Sequence, residues 1–333
     1  MRAVVLTKHG RPDVLQVDER RAEPRPGPHD IRIEVAAAGV NFADVLARVG
    51  LYPDAPKPPC ILGYEVAGTI VEVGREVTRF AHGQRVLAGT RFEGYAEQVV
   101  VQESDAVALP PAMSFEEGAA VPVNYATAWA GLIEYGGLKH GQRVLIHAAG
   151  GGVGTAATQL ARHWGAEVYG SASPSKHIAI REQGVENPVD YTRKGWERGL
   201  PPMDLVLDAI GGRSFRISYD LLRPGGRLVA FGASSLLSGE RRNLITAART
   251  VVHMPRFNLI KQMSEAKAVI GLNMLTLWED RRTLEPWITP LEALMDEGVI
   301  RPVVAGSFPF DRVADAHRML AERRNVGKVV LVP

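Results

Sequence analysis

The sequence is poor in residues that build covalent or metal-held frameworks. Among 333 residues there is one cysteine, Cys60, so no intramolecular disulfide can form. A single thiol after Pro58-Pro59 favours an inert buried group and a reducing, cytoplasmic setting. The nine histidines are dispersed and contain no H-E-x-x-H pattern. Because zinc takes about four clustered ligands, the sequence predicts no catalytic or structural metal.

Strong net charge and long apolar runs are also missing. The formal charge is +2, which is too small and scattered to indicate a nucleic-acid partner. The longest run free of Asp, Glu, Lys, Arg and His, Gly118 to Ile133, is too short to span a bilayer and contains Pro122 and Asn124. Residues Met1 to Leu6 are typical of a first strand rather than a leader. No P-loop or G-x-S-x-G elbow occurs.

The most informative motif that is present is a glycine turn. An apolar strand ends near His147, and Ala149, Gly151 and Gly154 occupy the three small positions of a G-x-G-x-x-G pattern before a helix that should start near Thr155. The second small residue lets backbone approach a pyrophosphate, and the third lets the helix pack closely on the strand. The unpaired N–H groups at the helix start face the phosphates. The sequence therefore predicts a dinucleotide site at Gly151, Gly152, Val153 and Gly154.

The residues after the second strand indicate which dinucleotide binds. NAD sites place an acid about 20 residues past the glycines, where it binds the ribose hydroxyls. Here Glu167–Ala172 should form the strand, and no acid follows before Glu182. Hydroxyl and ammonium groups attract a 2′-phosphate that a carboxylate would repel. We therefore predict NADPH over NADH, with Ser173 and Lys176 as first contacts and Tyr191 as a third.

The order of secondary-structure signals predicts an α/β chain with two domains. Short β-rich runs extend over residues 1–124, and strands alternate with helices, one of them at Arg213–Leu222, over residues 125–274. Residues 275–333 should return to complete the first domain. We expect the active site in a cleft between the domains.

The motifs Gly39–Asp44, Arg48–Tyr52, Gly63–Gly68 and Gly94–Glu97 precede the glycine turn. In this order they resemble the zinc-independent quinone oxidoreductases of the medium-chain dehydrogenase/reductase superfamily, over essentially the whole chain. Three further segments resemble the vesicle amine transport protein subfamily, namely Ser171–His177, Gly239–Leu244 and Arg324–Pro333. The resemblance implies a GroES-like β domain, over residues 1–124 and 275–333, and a doubly wound parallel-sheet Rossmann domain over residues 125–274.

The resemblance also implies catalytic residues. Asn41 and Tyr64 stand where zinc-dependent relatives have a cysteine and a histidine ligand. Asn41 then donates its amide N–H to an acceptor oxygen or to the cofactor, or instead fixes the local turn. Tyr52 is then a hydrogen-bond or proton donor, or instead stacks against a loop. Tyr64 is a second phenol candidate or a packing residue. Asp44 is interpreted as structural, holding neighbouring backbone or an arginine such as Arg48.

The resemblance places further cofactor contacts outside the glycine turn. Asn124 and Thr127 resemble the segment beside the nicotinamide. The turn Phe231–Ser234, with Gly232 in it, follows a predicted strand and would accept the nicotinamide ribose, and Asn325 resembles a tail asparagine that reaches back to the cofactor. With Asn41, these residues complete the predicted NADPH site.

Hydride transfer to a quinone or an α,β-unsaturated carbonyl needs no Lewis acid, because the added electrons delocalise onto oxygen. An NADPH-dependent reductase of quinones or α,β-unsaturated carbonyls is therefore the leading functional interpretation. Two alternatives stay open: an NADPH-binding interaction protein at a membrane surface, and an enoyl reductase that tailors polyketide or fatty-acid chains. NADPH oxidation with a panel of acceptors distinguishes them.

One basic stretch, from Glu240 to Lys261, mixes arginines with apolar residues. It fits a half-buried helix with a charged face, and a peripheral membrane contact or a lid stay open as alternatives. The strand predicted at Ala268–Asn273 resembles the edge by which the family pairs. A homodimer is therefore expected, since an uncovered edge invites pairing.

Overall fold

The backbone divides into two units, and each draws on separate stretches of sequence. The computed structural model describes residues 1–237, 239–240, 248 and 250–333. Unit 1 comprises Met1–Ala126, Gly239–Arg242 and Leu275–Pro333. Unit 2 comprises Thr127–Ser238 and Asn243–Met274. The last stretch of the chain thus belongs to the same unit as the first.

Strands and helices are numbered along the described residues. The strands are Ala3–Leu6 (β1), Leu15–Asp18 (β2), Asp30–Val40 (β3), Cys60–Ile61 (β4), Glu65–Val73 (β5), Arg85–Gly89 (β6), Gln98–Gln102 (β7), Ala106–Ala108 (β8), Arg143–Ile146 (β9), Glu167–Ala172 (β10), Asn187–Asp190 (β11), Met203–Asp208 (β12), Leu222–Ala230 (β13), Ala268–Gly271 (β14), Val304–Pro309 (β15) and Lys328–Val332 (β16). The helices are Phe42–Arg48 (α1), Phe115–Gly118 (α2), Pro122–Trp129 (α3), Gly152–His163 (α4), His177–Glu182 (α5), Arg213–Asp220 (α6), Leu259–Glu265 (α7), Met274–Arg281 (α8), Glu285–Asp296 (α9) and Val313–Ala321 (α10). A π-helical turn, Ala130–Glu134, follows α3.

Unit 1 is built on two β-sheets. A three-stranded sheet has the order β2-β1-β4, and a seven-stranded sheet has the order β15-β16-β3-β5-β6-β8, with β7 also paired to β3. In β3 the apolar residues Ile31, Ile33 and Val35 alternate with more exposed residues, as expected for a strand with one buried face. The last strand, β16, lies between β15 and β3. This sheet unit confirms the GroES-like β domain that the sequence predicted.

Unit 2 contains one six-stranded sheet in the order β11-β10-β9-β12-β13-β14. All of its strand pairs are parallel. The central strands are continuous apolar runs, such as Val144–Ile146 in β9, because a parallel sheet is covered on both faces. This strand order is that of the dinucleotide-binding Rossmann fold, and it confirms the predicted fold class.

The structure corrects several predicted boundaries. The helix predicted at Arg213–Leu222 ends at Asp220, because Leu222 already pairs with Met203 as the first residue of β13. Helix α4 begins at Gly152 rather than near Thr155, since Gly151 is its N-cap. The short helices α1 and α3 were not predicted.

The basic stretch 240–261 differs most from its prediction. Residues 241–247 and 249, with Arg241, Arg242 and Arg249 among them, lie outside the described residues. Within the described part, Val251 and Val252 are 61% and 79% exposed and residues 255–258 are not helical. The prediction of one continuous half-buried helix is therefore wrong for residues 251–261. In the portion of the chain that the structure covers, no helix is both long and apolar enough to cross a membrane.

Candidate functional site

The glycine turn of unit 2 lies at the carboxyl end of a central strand. Strand β9 pairs with β10 on one side and β12 on the other, so the turn sits where the strand order reverses. The Gly151 N–H donates to the Ala148 carbonyl over 2.8 Å. The left-handed residue is Ala148, with φ of 52°, whereas the sequence predicted the tight turn at Ala149. A non-glycine residue in this region carries strain of about 1–3 kcal/mol, which clusters at functional sites.

The two glycines of the turn are needed for different reasons. A Cβ on Gly154 would lie 2.3 Å from the Ala148 oxygen and 2.7 Å from the Ala149 Cα, so helix and strand pack too closely for a side chain. Among the residues that the structure describes, a Cβ on Gly151 would meet one atom within 4 Å, the Ala148 oxygen at 3.2 Å. Packing of the protein alone therefore does not explain Gly151. The open space beside it, at the start of α4, fits the approach of a phosphate group.

The predicted ribose-phosphate contacts follow two neighbouring strands. Ala172 of β10 pairs with Asp190 of β11, so Ser173 and Tyr191 both follow paired strand ends. A Cβ built on Gly150 would lie 3.2 Å from Lys176 Cδ, which places the lysine stem beside the glycine turn. Ser173 and Lys176 are partly exposed, and Tyr191 is exposed.

Asp190 is an acid at this edge that the sequence interpretation did not consider. Its carboxylate accepts hydrogen bonds from the backbone and hydroxyl of Thr192, over 3.0 and 2.6 Å. It also pairs with Arg193 at 3.1 Å. The Thr192 hydroxyl is the main cause that lowers the pKa of Asp190. Its negative charge is thus already partnered within the chain.

The turn Phe231–Ser234 packs directly on the end of β12. The Phe231 N–H donates to the Asp208 carbonyl over 3.1 Å, and the Ser234 N–H donates to the Ala209 carbonyl over 3.0 Å. A Cβ on Gly232 would lie 2.9 Å from the Ala209 oxygen. The backbone of this predicted ribose turn is therefore fixed by the neighbouring strand.

The remaining predicted cofactor contacts have local roles in each unit. The Asn124 amide donates to the Ala120 carbonyl over 3.0 Å, one turn back along the chain. The Asn325 amide donates to the Gly327 carbonyl over 2.8 Å. Thr127 is buried, with 8% of its surface exposed. Contact of these three residues with a cofactor stays a prediction.

Asn41 in unit 1 is held by a buried ion pair. Its amide nitrogen donates to Glu65 Oε1 over 2.9 Å, and its oxygen accepts from Lys328 Nζ over 2.6 Å. Lys328 and Glu65 also contact each other directly. The second Glu65 oxygen accepts the Val123 N–H over 2.7 Å. These contacts fix the orientation of the Asn41 amide and leave it one further N–H. Lys328 was missed, although a lysine in an otherwise apolar strand is unusual.

Asp44 fixes the backbone at the predicted catalytic residue Asn41 and next to Tyr64. It accepts the Asn41 N–H over 2.8 Å, the Gly63 N–H over 3.1 Å and the Tyr95 hydroxyl over 2.9 Å. Burial raises the pKa of Asp44 to about 6, against the opposing effect of these hydrogen bonds. Asp44 was predicted to hold neighbouring backbone, and these contacts confirm it. The suggested contact with Arg48 is wrong, because the Arg48 guanidinium donates to the Gly10 and Glu240 carbonyls instead.

The two candidate phenols lie in an aromatic cluster of unit 1. The ring centroids of Tyr52 and Tyr64 are 6.4 Å apart at 87°, and Tyr64 lies 4.8 Å from Phe92. The Tyr64 hydroxyl is buried and has no partner at hydrogen-bond geometry among the described residues. Burial raises the pKa of Tyr52 to about 12 and that of Tyr64 still further. Both hydroxyls are therefore protonated donors near neutral pH.

Across the described ranges, no group of three or more His, Cys, Asp or Glu side chains is arranged to hold a metal ion. Cys60 is half-buried rather than fully buried, and burial raises the pKa of its thiol.

Known proteins with similar sequences share this organisation. A family model for the alcohol dehydrogenase GroES-like domain matches residues 27–112, and one for zinc-binding dehydrogenases matches residues 183–331. The synaptic vesicle membrane protein VAT-1 homolog of Rattus norvegicus is 38% identical over 340 residues, which cover 100% of this chain and 84% of that protein. The chain belongs to the VAT-1 group of the medium-chain dehydrogenase/reductase superfamily.

Solved structures agree with this membership. A quinone oxidoreductase from Pseudomonas syringae matches with a TM-score of 0.85 at 29% identity, over 100% of this chain and 99% of that one. The CurK enoyl reductase matches with a TM-score of 0.86 at 26% identity, over 99% of both chains. A mycobacterial protein complexed with NADPH matches with a TM-score of 0.85 at 28% identity, over 100% of both. The chain is thus an oxidoreductase of the medium-chain dehydrogenase/reductase fold.

Proposed function

We propose that this protein is an NADPH-dependent reductase of quinones and other conjugated carbonyl compounds that works without zinc. The observation that carries the proposal is the open position at Gly151. In the described part of the chain, a side chain at Gly151 would meet only the Ala148 oxygen, at 3.2 Å, so packing does not require a glycine there. Gly151 lies at the start of α4. A pyrophosphate is the group that such a position takes in this fold.

The preference for NADPH is supported by the side chains after β10. Lys176 offers a positive charge beside Gly150, and Ser173 offers a hydroxyl. The carboxylate of Asp190 is paired with Arg193, which reduces its repulsion of a 2′-phosphate. The related mycobacterial structure contains NADPH.

The acceptor side of the proposal rests on hydrogen-bond donors of unit 1. NADPH supplies a hydride when it is bound. The chain's own contribution is to hold the acceptor oxygen, and Asn41 has one amide N–H outside its bond to Glu65. The buried Tyr64 hydroxyl has no partner at hydrogen-bond geometry among the described residues, and the Tyr52 ring lies 6.4 Å from the Tyr64 ring. Both phenols are protonated near neutral pH and can donate a hydrogen bond. Such donors stabilise negative charge that develops on oxygen.

The test is oxidation of NADPH measured with three acceptors: a simple quinone, a small enone and an enoyl thioester. We expect turnover with the quinone and the enone. Turnover with the thioester alone would favour the enoyl reductase alternative, which the likeness to the CurK enoyl reductase keeps open. NADPH binding without turnover of any acceptor would contradict the proposed activity.

A pair of variants tests the cofactor preference. Lys176→Met should weaken NADPH binding about 10-fold or more, because a charge-assisted hydrogen bond is lost, and should change NADH binding little. Lys139→Met is the matched control, since Lys139 is an exposed lysine of the same unit. Equal affinity of the unaltered protein for NADH and NADPH would contradict the preference.

We also infer a homodimer formed through β14. This strand is last in its sheet and pairs only with β13 among the described strands. Helix α7, which precedes it, exposes Leu259, Ile260 and Met263 by 75–80%. An open edge beside exposed apolar residues fits a second copy of the chain. Light scattering should show a dimer that Ile260→Asp weakens and Ile178→Asp, at a similarly exposed residue of α5, does not. A monomer that co-sediments with vesicles would favour the membrane alternative.

A further inference from the structure

A buried polar network crosses the sheet of unit 2 behind the glycine turn. His147 directly follows β9, and its Nδ1 lies 2.9 Å from Ser171 Oγ while its Nε2 lies 3.1 Å from Ser218 Oγ. Ser218 Oγ lies 2.6 Å from Asp208 Oδ2. All four side chains are 3% exposed or less. We call Ser171, His147, Ser218 and Asp208 the His147 network.

The hydrogen positions in the His147 network follow from its chemistry. Asp208 is surrounded by donors: its carboxylate faces the N–H groups of Ile210 and Gly211 and, over 2.7 Å, the Ser214 hydroxyl. It therefore accepts from Ser218 as well, and the single hydroxyl hydrogen of Ser218 points to Asp208. Ser218 Oγ must then accept from His147, which places a hydrogen on Nε2. The Nδ1 atom accepts in turn from the Ser171 hydroxyl. Burial lowers the pKa of His147 despite Asp208, and therefore the ring is neutral.

The His147 network joins three backbone segments that line the proposed dinucleotide site. The Ser171 carbonyl accepts the Ala149 N–H of the glycine turn over 3.1 Å. Asp208 Oδ1 accepts the Ile210 N–H over 2.7 Å, and the Asp208 carbonyl accepts the Phe231 N–H over 3.1 Å. One imidazole therefore connects the carboxyl ends of β9, β10 and β12 and, through Asp208, the turn after β13.

We propose that His147, as its neutral Nε2–H tautomer, is a positioning residue that sets the affinity of this protein for NADPH. The inference rests on the proposed function and adds a residue that does not touch the cofactor. A buried hydrogen bond is directional, and breaking one link leaves its partner unsatisfied. Loss of a link leaves only the backbone hydrogen bonds of the sheet to hold the glycine turn and the ribose turn in register. The two turns then fit less well to a ligand that contacts both, and its binding weakens.

The test compares Ser171→Ala, Ser218→Ala and the double variant by titration with NADPH. Each single change should weaken binding about 5- to 30-fold. The double variant should weaken it by little more than either single change, because one break already interrupts the connection. Leu228→Ala is the control, since Leu228 is a fully buried core residue of the same unit that belongs to no part of the network. It should lower stability and leave NADPH affinity within about twofold.

Two further measurements separate positioning from simple loss of structure. The ¹⁵N signals of His147 should show the Nε2–H tautomer in the unaltered protein and a changed state in Ser171→Ala. His147→Gln, which retains a donor towards Ser218, should recover part of the affinity that His147→Phe loses. Affinities of the serine variants within twofold of the unaltered protein would overturn the inference, and so would an equal loss in Leu228→Ala. If the unaltered protein binds no NADPH, the proposed function itself fails, whatever tautomer His147 shows.

Discussion

Lys328 and Glu65 form an ion pair in which neither side chain reaches solvent: their side chains are 3% and 0% exposed. Lys328 begins β16 and Glu65 begins β5, and β3 lies between these two strands. The pair also holds both ends of the Asn41 amide. A proposed catalytic residue is therefore oriented by charges from two other strands.

Removing one member of this pair should be far more damaging than removing both. Lys328→Met leaves a buried carboxylate without its cation, and the free energy of unfolding should fall by about 3–5 kcal/mol. The double variant Lys328→Met with Glu65→Gln should recover part of that loss. Urea denaturation measures each value. The half-exposed pair of Arg143 and Glu167 is the control, and Arg143→Met should cost about 1 kcal/mol or less. A loss that small for Lys328→Met would contradict the prediction.

Asp44 should make stability depend on pH in the acid range. Its pKa is about 6 in the folded protein and 3.8 in its ordinary state. Because the folded value is raised, its contribution is full below about pH 4 and is lost as the pH rises through about 6, a change of about 3 kcal/mol. The difference in unfolding free energy between the unaltered protein and Asp44→Asn should shrink by that amount between about pH 4 and pH 7. A difference that stays constant between pH 4 and pH 7 would contradict this prediction.

The two glycines of the turn should separate stability from cofactor binding. Gly151→Ala meets one atom at 3.2 Å, so the protein should fold normally and bind NADPH at least about 10-fold more weakly. Gly154→Ala meets backbone at 2.3 Å, and the free energy of unfolding should fall by about 1–3 kcal/mol or more. Thermal unfolding without cofactor and NADPH titration check the two effects. Normal NADPH affinity in Gly151→Ala would remove the main support for the site.

Tyr64 and Tyr95 should respond in opposite ways to loss of the hydroxyl. The buried Tyr64 hydroxyl has no hydrogen-bond partner in the described part of the chain, so Tyr64→Phe should keep or slightly raise stability. It should lower turnover about 100-fold if that hydroxyl binds the acceptor oxygen. Tyr95→Phe removes a hydrogen bond to Asp44 and should lower stability by about 1–3 kcal/mol. Stopped-flow turnover and denaturation curves are the measurements. Unchanged turnover in Tyr64→Phe would exclude its hydroxyl from the reaction.

The fold class and the glycine turn were predictable because their signals are local. A strand, three small residues and a helix follow one another between Arg143 and His163, and the structure confirms that order. Short helices such as α1 were missed because seven residues carry little periodicity. The left-handed Ala148 was missed because alanine gives no signal for that conformation.

Buried contacts over long separations were beyond the sequence. The partners of the buried His147, Ser171 and Ser218, lie 24 and 71 residues away along the chain. Lys328 and Glu65 are separated by 263 residues. No periodicity or motif joins such positions, because the topology alone brings them together. The roles of Asn41, Tyr52 and Tyr64 in catalysis stay predictions.

The position of β16 between β15 and β3 has a consequence for synthesis of the chain. Until residues 328–332 leave the ribosome, the seven-stranded sheet lacks an interior strand, and Glu65 lacks the ammonium group that neutralises it. Unit 2 ends at Met274, so the six described strands of its sheet are all synthesised before residues 328–332. Unit 2 can therefore fold during translation, whereas unit 1 cannot complete its sheet until residues 328–332 have been synthesised.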